Sequence, residues 1–80
     1  MANTLHEAIA LVLTQVDNTG LTARQIAYTI EEQELWRRPS DGHFPPPSQV
    51  SARLGTGYYR HLFRRERPSR LVFLINFDPA

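Results

Sequence analysis

The sequence predicts a mainly α-helical winged helix-turn-helix fold of the α+β class, in which three helices precede a two-stranded β-hairpin wing. Three observations predict it: an apolar stripe at helical spacing, two successive capping motifs, and an apolar β-rich run after an arginine-rich turn. The 80 residues are 41% hydrophobic, which suits one compact unit. We therefore expect a single domain over residues 1–80, with its core over about residues 4–77.

The first helix is predicted by a continuous apolar stripe. Its members recur at i, i+3, i+4, i+7, i+8 and i+11, and they are Leu5, Ala8, Ile9, Val12, Leu13 and Val16. Thr4 can cap this helix, with Glu7 completing a capping box, and the turn residues 17–20 predict its end.

A second capping box, formed by Thr22 and Gln25, predicts a second helix over about residues 23–35. Its inward positions are Ala23, Ile26, Ala27, Ile30 and Leu35. Leu21 stands alone between the two helices, where it can add a short third strand to the sheet. Two helices around a short turn are the arrangement that a helix-turn-helix core requires.

A proline-rich loop and a short third helix are predicted next. Prolines fix the backbone of residues 36–47, so this loop is expected to be ordered. Ser48 is predicted to cap a helix over about residues 49–56. Val50 and Leu54 are four residues apart and should face the core.

The last part of the chain predicts a hairpin. Residues 58–63 have β character, and residues 71–77 form a short apolar run of aliphatic and aromatic residues that is typical of a strand. The joining residues 64–70 carry four arginines, and Pro68 suits a turn. We expect a wing whose tip bears these arginines.

Charge divides the chain into two halves. All nine basic residues are arginines; residues 1–35 hold one arginine and five acids, a net of −4, while residues 36–80 hold eight arginines and three acids, a net of +5. A basic half on a near-neutral protein is the footprint expected of a phosphate-binding surface, the alternative being a solvated face.

Several function classes find no support in the sequence. There is no cysteine, which excludes disulfides and thiolate sites and is compatible with a reducing cytosolic or nuclear compartment. We expect a cytoplasmic protein, associated with the nucleoid if it is bacterial. His6, His43 and His61 lie in separate segments, so no metal site is expected. No nucleophile elbow, phosphate loop or paired-carboxylate motif is present, and the apolar runs are too short to cross a membrane. We expect neither an enzyme, nor a cofactor, nor a small-molecule substrate.

Five stretches together share the order and spacing of a known family. They are TLHEAI at residues 4–9, LTARQIA at 21–27, LWRR at 35–38, SQVSARL at 48–54 and the final apolar run to residue 75. In these stretches, which extend over nearly the whole chain, the sequence resembles the HARE-HTH winged-helix family of chromatin proteins and restriction endonucleases. The resemblance implies binding of double-stranded DNA, as a small regulator of transcription or as the DNA-targeting part of a larger nuclease or chromatin-type protein.

The family is also similar in fold to the N-terminal domain of the bacterial RNA polymerase delta subunit, a module for protein contacts. Because fold alone does not fix function, a protein-protein interaction module is the alternative. In that case an exposed strand edge on residues 71–77 would pair with a peptide or with a second copy in a homodimer.

The candidate DNA-binding residues fall into three groups. In a helix-turn-helix protein the helix after the turn enters the major groove, which nominates its N-terminal residues, while guanidinium groups suit phosphate oxygens. The candidates are Ser48, Gln49, Ser51 and Arg53 on the third helix, Arg64, Arg65, Arg67 and Arg70 on the wing, and Arg37 and Arg38 in the loop. Alternatively, Ser48 only caps its helix, Arg53 folds back, the wing arginines stabilise the hairpin, and the loop packs Trp36 and Phe44 onto the core.

Overall fold

The computed structural model describes residues 2–75 and residue 77. Within them lie three α-helices and one antiparallel hairpin, so the predicted winged-helix class is confirmed. The elements are α1 (Leu5–Gln15), α2 (Ala23–Glu32), α3 (Pro47–Gly55), a 3-10 turn (Tyr59–His61), β1 (Phe63–Arg65) and β2 (Val72–Leu74). None of the described helices has the length and apolar character needed to cross a bilayer.

The core lies between the three helices and the inner face of the hairpin. Its buried side chains are Leu5, Ala8, Ile9, Val12 and Leu13 from α1, Ile26, Ala27 and Ile30 from α2, Val50 and Leu54 from α3, Phe63 and Val72 from the hairpin, and Trp36 from the loop. The stripe predicted for α1 is therefore confirmed at five positions, and its sixth, Val16, is half-buried. Burial of these apolar surfaces is the main force that holds the elements together.

The turn after α1 stops the helix as predicted. Asp17 and Asn18 both adopt positive φ angles, 52° and 56°. The N–H of Asn18 donates to the carbonyl of Leu13 at 2.9 Å, and that of Asp17 donates to Thr14 at 3.0 Å. This pair of bonds is a Schellman motif, which satisfies carbonyls that the end of the helix leaves open.

The second helix begins as predicted and ends earlier. Both bonds of the Thr22 and Gln25 capping box are present, at 3.2 and 2.9 Å. The helix stops at Glu32 instead of residue 35, because Glu34 takes a positive φ of 52° and the N–H of Leu35 donates to Ile30 at 3.0 Å. This is again a Schellman stop. The residue at positive φ is a glutamate instead of the usual glycine or asparagine, so its type did not predict the end of the helix.

The third helix begins at Pro47, and the prediction that Ser48 caps it was wrong. Pro46 occupies the capping position without a side-chain hydrogen bond, and Ser48 is the second helical residue. Proline at the first helical position has no N–H to satisfy and a φ already suited to the helix. The helix ends at Gly55, one residue before the predicted end.

The hairpin has shorter strands than predicted. The second strand covers Val72–Leu74 instead of residues 71–77, of which Asn76 lies outside the described residues. Arg64 and Arg65, predicted at the tip, lie in β1. Tyr59–His61 form a turn of 3-10 helix instead of extended chain. These short strands still pair in register, with Phe63 opposite Leu74.

Leu21 does add to the sheet, as a single residue. Its N–H donates to the carbonyl of Val72 at 3.3 Å, and the N–H of Val72 donates back at 2.7 Å. The neighbouring Gly20 has a φ of 103° and lies under the ring of Phe73, whose Cζ would be 2.7 Å from any Cβ added there. A glycine is thus needed both for the turn and for the close approach of the hairpin.

Candidate nucleic-acid interface

A groove separates the hairpin from α3 and from the N-terminal end of α2. Its inner part has a volume of about 500 Å³ and is lined chiefly by Arg24, Ser48, Ser51, Arg65 and Arg70. An outer part of about 640 Å³ shares the last three of these residues and continues to Glu66, Arg67 and Pro68 at the hairpin turn. We call this continuous depression the wing groove.

The wing groove is fixed by a contact across it. Nη2 of Arg65 in β1 donates a hydrogen bond to Oγ of Ser51 on α3 at 2.8 Å. The neighbouring residues of the two elements, Phe63 and Val50, are buried in the core. The hairpin is therefore held beside α3 at a defined spacing, and a guanidinium lies in the middle of the groove.

The structure sorts seven of the nine arginines into two groups by their acidic neighbours; the other two, Arg53 and Arg60, lie outside the wing groove and have no ion pair within the described residues. Three are paired: Arg37 with Glu34 at 3.0 Å, Arg38 with Asp41, and Arg64 with Glu66 at 3.2 Å. The four that line the wing groove have no carboxylate within ion-pair distance among the described residues, and they are Arg24, Arg65, Arg67 and Arg70. Four of the six arginines without an ion pair among the described residues therefore line the wing groove, together with one acid, Glu66, which pairs with Arg64.

Arg64 differs from its wing neighbours in orientation. Its guanidinium lies 4.6 Å from the centre of the Phe73 ring and pairs with Glu66. Arg64 and Phe73 are opposite each other across the two strands. Successive residues of a strand point to opposite faces, so Arg64 covers the outer face of the hairpin while Arg65 points to α3.

The loop arginines are engaged within the loop itself. Arg37 lies 4.3 Å from the centre of the Phe44 ring, and Arg38 forms two hydrogen bonds with Asp41. The Arg38 guanidinium, followed by the backbone N–H of His43, holds the pKa of the Asp41 carboxyl below its usual value. Of the two aromatic residues in the alternative interpretation, Trp36 is buried in the core, whereas Phe44 is half-buried and does not belong to the core cluster.

The two long side chains on α3 that are candidates for base contacts, Gln49 and Arg53, do not line the wing groove. Oε1 of Gln49 is buried and has no hydrogen-bond partner among the described residues, so this atom does not face outward. Arg53 lies 5.1 Å from the centre of the Tyr59 ring, and Tyr59 in turn stacks on His6 at 4.5 Å. Gln49 and Arg53 are one turn apart, and both occupy the flank opposite Ser51.

The outward face of α3 carries only short side chains. Ser48, Ala52 and Gly55 are exposed, and Ser51 is half-buried at the edge of the wing groove. Serine hydroxyls can bond to any base, and a methyl group can contact thymine, but neither makes the bidentate contacts that distinguish base pairs strongly. A face of this kind, if it met a duplex, would come close to the bases and distinguish little between them.

The strand edge that the interaction alternative requires is closed at β2. Leu21 satisfies both backbone groups of Val72. The side-chain amide of Asn18 satisfies both groups of Leu74: its Oδ1 accepts from the N–H at 2.7 Å, and its Nδ2 donates to the carbonyl at 3.0 Å. The prediction of an exposed edge is wrong at these two residues. A partner strand would have to pair with β1 instead.

Arg24 is a residue of the wing groove that the sequence did not predict; it lies in the acidic half of the chain. The available signal was the capping box, which places Arg24 in the first turn of α2, next to orphan N–H groups that attract anions.

Across residues 2–75 and 77, no three histidine or acidic side chains come together as a metal site would need.

Comparison with known proteins gave no relatives. No protein-family model matches the chain, and neither the curated proteins nor the solved structures contain a match.

Proposed function

We propose that this protein binds double-stranded DNA through the wing groove, with α3 in the major groove and the arginines on the sugar-phosphate backbone. The observation that carries the proposal is the group of four arginines, without acidic partners among the described residues, around one groove. Guanidinium groups bind phosphate oxygens in bidentate fashion and lose little hydration on doing so.

The shape of the surface supports a duplex as the ligand. The major groove of B-DNA is about 12 Å wide and admits one α-helix. The outward face of α3 has no long side chain that would hold it away from the base edges. The N-terminal turn of α2 lies beside it with Arg24 and can orient N–H groups towards a phosphate. Binding of this kind depends on the backbone and tolerates many sequences.

The biological role proposed is that of a non-catalytic DNA-binding module. It corresponds to what the HARE-HTH resemblance implies, a small regulator or the targeting part of a larger protein. No chemistry is assigned to any side chain of the wing groove, and the closure of the β2 edge by Leu21 and Asn18 weighs against strand addition as the mode of action.

Titration of a labelled duplex at several salt concentrations tests the proposal. Four phosphates neutralised by four arginines predict a slope of log affinity against log salt of about −3.6. In the variant R65A/R70A the slope should fall to about −1.8, with much weaker binding at low salt. Urea unfolding of each variant checks that the fold is retained.

The matched control is R37A/R38A, which removes the same charge from arginines that already have acidic partners. It should bind nearly as well as the unmodified protein. Equal losses in the two double variants would mean that only net charge matters, and the absence of duplex binding at low salt would reject the proposed function.

A further inference from the structure

The inner part of the wing groove has the size of a small-ligand site. Its volume of about 500 Å³ falls within the range of about 300–1,000 Å³ that such sites occupy. Three guanidinium groups line it, and each comes from a different segment: Arg24 from α2, Arg65 from β1 and Arg70 from the turn before β2. None of its lining residues is acidic, and none of these three arginines has an ion pair within the described residues. The inner part is therefore a concave site suited to an anion.

Further hydrogen-bond donors belong to the same lining. The backbone N–H groups of Arg24, in the first turn of α2, and of Ser48, in the first turn of α3, make no hydrogen bond within the described part of the chain. Oγ of Ser51 accepts from Nη2 of Arg65 at 2.8 Å, which fixes that guanidinium beside α3 and leaves its other N–H groups open to a ligand. Donors from four segments of the chain thus surround a single space.

Linked phosphates are the ligand class that these groups fit best. One guanidinium holds two oxygens of a phosphate in a bidentate contact, so three guanidinium groups around one space can engage two or three phosphates in a row. A single phosphate has too few oxygens to give each of the three groups its own pair. No aromatic ring lines the space, so the usual platform for stacking a base is missing. The phosphate chain is therefore the part of a ligand that this site recognises.

We propose that the inner part of the wing groove binds a small polyphosphate, either inorganic or as the phosphate chain of a nucleotide, and that this ligand competes with DNA. The binding of polyphosphate does not depend on the proposed function, whereas the competition rests on it. The bound ligand occupies three of the four arginines of the wing groove, Arg24, Arg65 and Arg70. DNA affinity then depends on the concentration of a soluble polyphosphate, which makes the groove a regulatory site.

Two of these arginines can be removed with little effect on the fold. Arg70 has a φ of 64°, a conformation that glycine adopts without strain, so R70G removes the guanidinium and keeps the turn. R24A places the best helix former in the first turn of α2. R60A is the matched control for the loss of one positive charge, because Arg60 is exposed, lies outside the wing groove and has no ion pair within the described residues.

Calorimetric titration of the whole chain at fixed ionic strength tests the binding step. The ligands are orthophosphate, pyrophosphate, triphosphate, ATP and GTP, all without divalent cations. We expect triphosphate to bind at least about tenfold more tightly than orthophosphate, the effect of one further hydrogen bond to a charged group, and ATP and GTP to bind as tightly as each other. R70G and R24A should each weaken triphosphate binding about tenfold for the same reason, while R60A should leave it unchanged.

Three results would overturn or narrow the polyphosphate site. Triphosphate binding that is absent, or no tighter than that of orthophosphate, excludes linked phosphates as the ligand. Equal losses in R60A and R70G would show that net charge attracts the anion anywhere on the surface, and they would exclude the cavity. If ATP and GTP fail to bind where triphosphate binds, the ligand is an inorganic polyphosphate; equal binding of all three extends the site to nucleotides.

Titration of a labelled duplex with and without saturating triphosphate, at the same ionic strength, tests the competition. Triphosphate should weaken duplex binding to the unmodified protein and to R60A, by a factor that grows with its concentration above the dissociation constant. An unchanged duplex affinity in the presence of bound triphosphate overturns the competition. Absence of duplex binding at low salt rejects the proposed function and leaves the polyphosphate site to be decided by the calorimetry alone.

Discussion

Replacing Asn18 by glycine isolates the contact that closes the outer edge of the hairpin. Asn18 has a φ of 56°, a conformation that glycine adopts without strain. The substitution N18G therefore keeps the turn after α1 and removes only the amide, which makes both bonds to the backbone of Leu74. The N–H and the carbonyl of Leu74 then lose their partners at a half-buried position.

The expected cost follows from those two bonds. Each hydrogen bond contributes about 0.5–1.5 kcal/mol net, so their loss lowers the free energy of unfolding by about 1–3 kcal/mol. Glycine has two further effects on the free energy of unfolding. Its flexibility in the unfolded chain lowers this free energy, and its freedom from strain at positive φ raises it; the two effects are comparable in size. Against a total of about 4–12 kcal/mol for a chain of this length, the loss is large.

Urea unfolding measures this cost directly, because Trp36 is the single tryptophan and is 9% exposed in the folded protein. Its fluorescence should report a lower midpoint in N18G at an unchanged slope. D17G is the matched control: Asp17 also has a positive φ but its side chain makes no hydrogen bond within the described residues. If N18G and D17G unfold at the same urea concentration, the amide of Asn18 does not stabilise the hairpin.

Three further predictions concern the turns, the capping box and pH. G20A should cost clearly more stability in urea than G42A, since both residues have positive φ but only Gly20 lies against the hairpin; equal costs would contradict the close packing. T22A should lower the free energy of unfolding by about 1 kcal/mol through loss of the cap, and an unchanged value would count against it. Because Arg38 lowers the pKa of Asp41, the ionised carboxyl stabilises the fold above its ordinary pKa, and this contribution disappears as pH falls through the lowered value. D41N should therefore be less stable near pH 6 and lose less stability on acidification, as acid unfolding curves of both proteins will show.

The elements that the sequence predicted well are those set by local chemistry. The stripe of α1 and the box formed by Thr22 and Gln25 depend on residues three or four positions apart, and both appear as predicted. The errors occurred where the usual signal was absent or ambiguous. A glutamate, Glu34, ends α2 at positive φ, and Pro47 begins α3 one residue before Ser48.

The candidate site was predicted in part. Arg65, Arg67, Arg70, Ser48 and Ser51 do line one groove. The sequence placed the remaining candidates by chain position alone, and position does not tell which arginine has an acidic neighbour.

What the sequence alone determined about this protein is its class of fold: three helices and a hairpin, bounded by their own stripes, caps and turns, with the basic charge in the second half. Tertiary structure decided how that charge is distributed. Packing brought Arg24 from the acidic half to the wing groove, placed Arg64 on Phe73, and buried Oε1 of Gln49. It also closed the edge of β2 with Asn18, a residue distant in sequence. The physical reason is that caps and stripes depend on neighbours within one turn of chain, whereas ion pairs, grooves and strand edges depend on residues that only folding brings together.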